Sequence, residues 1–311
     1  MYEISVIGAG IIDILAAPVS KEVFSSGSCP MDTMKMSFGG DALNEAVILS
    51  RLGKKVQLIT KVGQDEAGKR VLDYMAENRL ATESVKVEPG LETGINIVLI
   101  DETGERHFLT NPKSSLRKLA LEDVEGFLDD TAPIVSFAGM FVSPLLTIEK
   151  MKELFLKIKE RNRILVVDMT KAKNKETLQD IEELLPFIDY MFPNEEEIAL
   201  LTGEANPYVN ARILTECGVR TAVIKCGEKG CVLSDKHGIR RIPALSVKRC
   251  VDTTGAGDSF VAGFVFGLSN GWDVGKCAKF ANATASCIVE DYGTSDGIHS
   301  LEDVMRRYNS R

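Results

Sequence analysis

Short apolar runs and helix-period stretches take turns along this 311-residue chain, and their order predicts the fold. The run ISVI at 4–7 is β-rich and ends in glycine, which suits a strand buried on both faces of a parallel sheet. Gly39-Gly40 then precedes a helix-period run at 42–52, which closes at Gly53 before the strand VQLITKV, completing one β-α-β step. Farther on come IVSFA, a helix at about 147–161, ILVVD at 164–168, a helix near 174–185, IDYMF at 188–192 and TAVIKC at 221–226. Strands alternating with helices in this way predict an α/β fold, a mostly parallel central sheet with helices on both faces. CVLSD and GIRRIPA read as an antiparallel pair, followed by helices at about 257–270 and 273–290. Segments 11–38 and 93–110 break the alternation: each is β-type sequence joined by turn residues, the second bending at Glu102-Thr103-Gly104. They predict a small sheet outside the main body. With no repeat, low-complexity tract or Pro/Ser-rich linker, the expectation is one domain over 1–311 carrying this outgrowth.

Composition narrows the function. At 44% hydrophobic and 26% charged the chain is ordinary globular sequence, and a net charge of -8 argues against nonspecific nucleic-acid binding, which needs a basic surface. Seven cysteines form no C-x-x-C pair and the three histidines are scattered, so reduced thiols in a cytoplasmic protein are expected, not a zinc site. The N-terminus lacks a basic region followed by a cleavable apolar segment. The apolar stretch at 260–268 falls short of the ~20 residues that span a bilayer, so no membrane association is expected.

Two glycine motifs do not carry through. Gly8-Ala9-Gly10 follows a strand like a dinucleotide fingerprint, but the last position is Asp13, whose charge opposes a pyrophosphate, and β-like sequence follows instead of a helix. The stretch from Gly63 to Gly68-Lys69-Arg70 has P-loop spacing. Arg70 stands where a magnesium-binding hydroxyl is needed, however, and Asp65 and Glu66 put negative charge in the cradle, so a turn and helix start is the better reading.

The stretch DTTGAGDSF, residues 252–260, carries the chemistry. Gly255-Ala256-Gly257 lets the backbone approach a ligand closely, and a helix beginning there points unpaired amides and its positive end at the same spot, an anion hole. Asp258 in the first turn reads as a helix-start carboxylate if taken alone. Beside such a hole it becomes a proton acceptor for a hydroxyl attacking a phosphoryl group, while the Gly255, Ala256 and Gly257 amides stabilise the phosphoryl oxygens.

This stretch closely resembles the C-terminal signature of the ribokinase-type, or PfkB-type, carbohydrate kinases. FGGDALNEA at 38–46 resembles the family's N-terminal signature, and Pro193-Asn194-Glu195-Glu196-Glu197 resembles its N-x-x-E motif, so the likeness spans essentially the whole chain. It implies a ribokinase-like fold whose small β-sheet, from 11–38 and 93–110, is a lid over a sugar, and an ATP-dependent kinase acting in the cytoplasm on a small sugar or sugar acid. By position, Asp258 would be the base, and Asp13, Gly39, Gly40 and Asn44 would hold substrate hydroxyls. Asn194 and Glu197 would organise Mg2+, largely through water. Lys225, Gly227 and Gly230 match a loop near the nucleotide phosphates, Asn282 the wall of the adenine pocket, and Asp252 with Thr254 part of a K+ site. Unpaired lid edges suggest a homodimer through the lid.

The chain also departs from the pattern. Asp41 stands where ribokinases usually carry lysine, and Gly139-Met140-Phe141 offers no acid where ribokinases often have one, so ribose is in question and fructose or 2-keto-3-deoxygluconate comes forward. Arg106 faces either a hydroxyl, a carboxylate or solvent. The alternatives are a nucleoside kinase, for which Phe38 and Phe108 are the stacking candidates, and a sugar-binding regulator without catalysis.

Overall fold

The computed structural model describes every residue except 27, 104, 251–252, 291–292 and 311. The bend at Gly104 and the cation ligand expected at Asp252 therefore lie outside the described residues. The strands are β1 (Ile4–Ile7), β2 (Ile11–Val19), β3 (Thr33–Gly39), β4 (Val56–Gly63), β5 (Val85–Glu88), β6 (Ile95–Asp101), β7 (Arg106–Thr110), β8 (Ile134–Met140), β9 (Ile164–Met169), β10 (Tyr190–Phe192), β11 (Thr221–Lys225), β12 (Cys231–Asp235) and β13 (Gly238–Ile242). The helices used below are α1 (Asp41–Arg51), α2 (Glu66–Glu77), α3 (Leu121–Glu125), α4 (Ile148–Glu160), α5 (Leu178–Ile181), α6 (Glu195–Thr202), α7 (Pro207–Glu216), α8 (Ala256–Ser269), α9 (Val274–Ile288) and α10 (Leu301–Asn309).

Nine strands form the main sheet in the order β13-β12-β11-β10-β9-β8-β1-β4-β5, parallel except for the two antiparallel pairings of β12. Alternating side chains serve opposite faces. Ile4 and Val6 of β1 join one core with α1, α2, α8, α9 and α10, whereas Ile7 joins the other with α3, α4, α6 and α7. Helix α8 approaches α9 closely because Gly263 has no side chain: a Cβ there would meet Thr284 Oγ1 at 2.3 Å. Phe264 on α8 is wholly buried against Tyr190 and Phe192 of β10, which fixes the helix over the sheet.

The second sheet runs β3-β2-β6-β7, with β2 and β6 parallel and the other two pairings antiparallel. Its strands come from 11–38 and 93–110, as the sequence predicts. Only part of the helix expected at 174–185 forms. Residues 174–177 make a turn in which Glu176 accepts from the Asn174 backbone N–H at 2.8 Å, and Pro186 sits in a 3-10 turn after the short α5. The P-loop spacing resolves as expected: Asp65 caps α2, accepting from Gly68 N–H at 2.7 Å and from Thr93 N–H at 2.8 Å.

Where β3 leaves the small sheet, Gly39 faces Asp13 so closely that a Cβ would lie 2.0 Å from Oδ2. At Gly126 the same atom meets nothing within 4 Å. We predict that Gly39→Ala destabilises by about 1–3 kcal/mol, while Gly126→Ala stays within about 1 kcal/mol. Urea denaturation measures both, and equal effects would show that the contact with Asp13 has no energetic weight.

Candidate active site

Strands β1, β8, β9, β10 and β11 end along one edge of the main sheet, and the N-termini of α1 and α8 point to that edge. Such a carboxyl-end crevice is where open α/β sheets place their ligands. Helix α8 starts at Ala256 because Gly255 turns the chain at φ 72°, and a Cβ at Gly255 would press to 2.4 Å from the Thr294 carbonyl oxygen. The Ala256 amide donates to the Thr253 carbonyl at 3.2 Å, closing this turn. The Ala256 amide is thus engaged within the turn itself.

Gly257 looks onto Lys225, the last residue of β11: a Cβ on Gly257 would be 3.3 Å from Nζ. Lys225 Nζ donates to both oxygens of Asp168 at the end of β9, at 2.7 and 3.0 Å. Burial opposes its charge, but the carboxylates of Asp168 and Glu197 outweigh that and hold its pKa above the usual lysine value. A side chain at Gly257 would press on the ammonium, which would have to give slightly.

Asp258 lies three residues past Gly255, in the first turn of α8, and accepts from Asn44 Nδ2 at 2.7 Å. Enclosure and the nearby charge of Asp41 push its pKa well above the ordinary carboxylate value, against the Asn44 hydrogen bond. Asn44 is thus buried, and orients Asp258 in the first turn of α8. Asp13, on β2, accepts from Asn96 Nδ2 at 3.0 Å, and Asn96 Oδ1 accepts from Thr110 Oγ1 at 2.9 Å. This chain of hydrogen bonds ties three strands of the small sheet. Burial raises the pKa of Asp13, with Asn96 and Arg106 opposing. Asp13, Gly40, Asn44, Thr254, Gly255 and Asp258 share one cleft of about 240 Å³. Gly39 contributes by making room for the Asp13 carboxylate, and Gly40, at φ 92°, by passing within contact of the Ala9 carbonyl.

The two departures noted in the sequence meet in space. Gly139, at φ 75°, is the penultimate residue of β8 and lies beside Asp41: a Cβ there would be 2.6 Å from Asp41 Oδ2. The Asp41 carboxylate, from α1, occupies the room that Gly139 leaves. Enclosure and Asp168 raise the Asp41 pKa to about 6.

Asn194 and Glu197 have a structural role the sequence reading did not foresee. They form a reciprocal cap on α6, Asn194 N–H donating to Glu197 Oε2 and Glu197 N–H to Asn194 Oδ1, both at 2.8 Å. Glu197 is not a solvated carboxylate: it is 8% exposed, and burial lifts its pKa to about 7 while Lys225 opposes. Gly230 and Asn282 converge on a different stretch, 242–244. A Cβ at Gly230 would meet the Ile242 carbonyl at 2.1 Å, and Asn282 Nδ2 donates to the Pro243 carbonyl at 3.2 Å. Gly227 turns at φ 54° with open space around it. Phe38 stacks on Tyr74 of α2 with centroids 3.9 Å apart, away from a stacking role, while Phe108 lines the cleft.

Three residues at the site escaped the sequence reading: Asp168, Asn96 and Glu45. Glu45 is fully buried, accepts from Ser136 Oγ at 2.7 Å through Oε2, and its Oε1 has no partner; burial and Asp168 raise its pKa well above normal. Asp168 had a signal, since it is a charged residue near the end of an otherwise apolar run. Asn96 and Glu45 had none beyond a polar residue in an apolar pattern.

Comparison with known proteins gives a family model described as pfkB family carbohydrate kinase, matching residues 1–301. An Archaeoglobus fulgidus protein named an uncharacterized sugar kinase is 30% identical over 256 residues, covering 80% of this chain and 97% of that one. Arabidopsis thaliana ribokinase complexed with ribose and ATP superposes with a TM-score of 0.83 at 22% identity, over 100% of this chain and 99% of that chain. An Escherichia coli chain described as a ribokinase II, in complex with ATP and Mg2+, gives 0.84 at 21% identity over 99% of each. The last two show the shared ribokinase fold.

A carboxyl with a raised folded-state pKa favours folding at low pH and loses that contribution as pH rises through the folded value. Asp41, raised from 3.8 to about 6, therefore costs the fold most above pH 6. We predict that Asp41→Asn raises Tm at pH 8 and raises it less at pH 4, as measured by differential scanning fluorimetry. A gain that is the same at both values would remove charge crowding as its cause.

Proposed function

We propose, from the premise that this chain belongs to the PfkB family of carbohydrate kinases, that it moves the γ-phosphate of ATP to a hydroxyl of a small sugar or sugar acid held between Asp13 and Asp258. The observation that carries the reading is Asp258, hydrogen-bonded to Asn44 and set three residues past the left-handed Gly255 in the first turn of α8. In this reading Asp258 takes the proton of the attacking hydroxyl. Its raised pKa suits that task, because a carboxylate far below the working pH is a poor proton acceptor. The Gly255 and Gly257 amides, with the positive end of α8, stabilise the phosphoryl oxygens, and Lys225 behind Gly257 adds a fixed positive charge. Asp13, positioned by Asn96, and Asn44 orient the acceptor; positioning and electrostatics supply most of the rate.

ATP is the nucleotide in both solved structures compared above, and Mg2+ accompanies it in one. The donor set fits such an ion. Glu197 has one oxygen committed to its cap and one left over, Asn194 offers an amide oxygen shared with the helix, and the surrounding carboxylates favour a cation. Bound there, Mg2+ would neutralise phosphate charge. Gly227, Gly230 and Asn282 shape the nucleotide side. We read 1–311 as one kinase unit acting in the cytoplasm, with segments 11–38 and 93–110 as a lid that closes on the acceptor. The lid's outer face exposes Met34, Met36, Ile97 and Leu109, an apolar stripe suited to pairing with a second copy.

A coupled ATP-consumption assay over ribose, fructose, 2-keto-3-deoxygluconate and nucleosides tests the reaction. We expect a sugar or sugar acid to be consumed; consumption of nucleosides alone would replace this reading with the nucleoside one. Asp258→Asn should lower turnover by about 10²–10⁴ with ATP binding nearly intact, and turnover within a few-fold of wild type would remove Asp258 from the mechanism. For the lid, Ile97→Lys should convert a dimer into a monomer in light-scattering mass measurements. A monomeric wild-type protein at high concentration would overturn the pairing.

A further inference from the structure

A second cleft, of about 410 Å³, adjoins the acceptor cleft, and Val142 lines both. Two cations border it. Arg117 is half-buried and donates through Nη1 to the Val142 carbonyl at 2.6 Å, and Lys173 stands on the turn that follows β9. Among the described residues neither forms an ion pair with a carboxylate. The one acid on the cleft wall, Glu176, is turned to its own loop, accepting from the Asn174 backbone at 2.8 Å and from the Asn174 side chain at 3.0 Å. Much of the remaining wall is apolar, including Phe141, Leu146 and Met151.

Two like charges beside a partly apolar cleft repel each other. Partial burial, and after it the Arg117 charge, lower the Lys173 pKa, and Asp41 partly restores it. Asp41 is also a wall of the acceptor cleft, so Lys173 acts electrostatically on the place where the acceptor sits. An anion entering between the two cations would relieve their repulsion and gain charge-assisted hydrogen bonds, with the guanidinium able to hold a carboxylate or phosphate by its planar fork.

We propose that this cleft is the subsite for an anionic substituent of the acceptor, so that the preferred substrate is a sugar acid or a sugar phosphate with its reacting hydroxyl at Asp258 and its anion at Arg117 and Lys173. The inference rests on the kinase reading above and adds to it the charge of the substrate. Leu146 and Met151 would pack against the carbon chain, and the Arg117 bond to the Val142 carbonyl would hold the boundary between the two clefts in place.

The test uses three acceptor sets built on the same carbon skeletons: neutral sugars, their carboxylate forms and their monophosphates. Coupled kinetics give kcat and KM for each, and calorimetry gives binding to the wild type, to Lys173→Glu and to Arg117→Lys. We expect one anionic set to exceed the neutral sugars in kcat/KM by about tenfold or more, and that ratio to fall by about tenfold in Lys173→Glu, chiefly through KM. Whether carboxylates or monophosphates lead identifies the anion. Arg117→Lys keeps the charge while losing the fork, so it should fall between the two. Neutral sugars turning over as well as anionic ones, or a ratio unmoved by Lys173→Glu, overturns the proposal while leaving the sugar-kinase reading in place. Should no sugar turn over, that reading fails and calorimetry still decides the subsite: anion binding lost in Lys173→Glu supports it, and no anion binding overturns it.

Discussion

Carboxylates crowd the edge of the main sheet, and one enclosed ammonium stands among them. Asp41, Asp168, Glu197 and Asp258 all have raised pKa values, each first through burial, and Lys225 lowers every one of them. Gathering so many like charges is unfavourable by itself, and it persists because the strands that end at this edge are fixed by apolar cores on both faces. The arrangement also sets what the site tolerates. A polyphosphate would meet repulsion from these acids unless cations accompany it, and the α8 amides and Lys225 are the fixed positive elements in place.

The fold was legible because its strands are buried on both faces and so appear as unbroken apolar runs, and because glycine and helix periodicity mark where each helix starts. The reading weakened where a short polar segment makes local bonds of its own, as at 174–177, where the Glu176 contact with Asn174 replaces the first turn of the expected helix. The site was legible where one stretch of chain carries it, as in the turn ahead of Asp258. It was not legible where partners come together from distant strands. Nothing in sequence pairs Lys225 with Asp168. The Ala256 amide is of the same kind: which donors of a tight turn are already engaged depends on the turn's own hydrogen bonds.

Asp41 and Gly139 show how two unusual residues explain each other. A side chain at 139 would occupy the place of the Asp41 carboxylate, so the acid and the glycine belong to one arrangement. Any side chain introduced at 139 would have to displace that carboxylate.

The parallel pairing of β2 with β6 has a further consequence. Parallel neighbours cannot be joined by a tight hairpin, and here the chain leaves the small sheet after β3, builds α1, β4, α2 and β5, and only then returns with β6. The small sheet is therefore not an insertion that recombination could add or remove at one point in the gene. Its two halves also meet only after a long loop has closed, which delays their pairing behind local structure. The sheet face that carries Asp13 and Asn96 is therefore incomplete in a nascent chain until residues 95–101 have emerged.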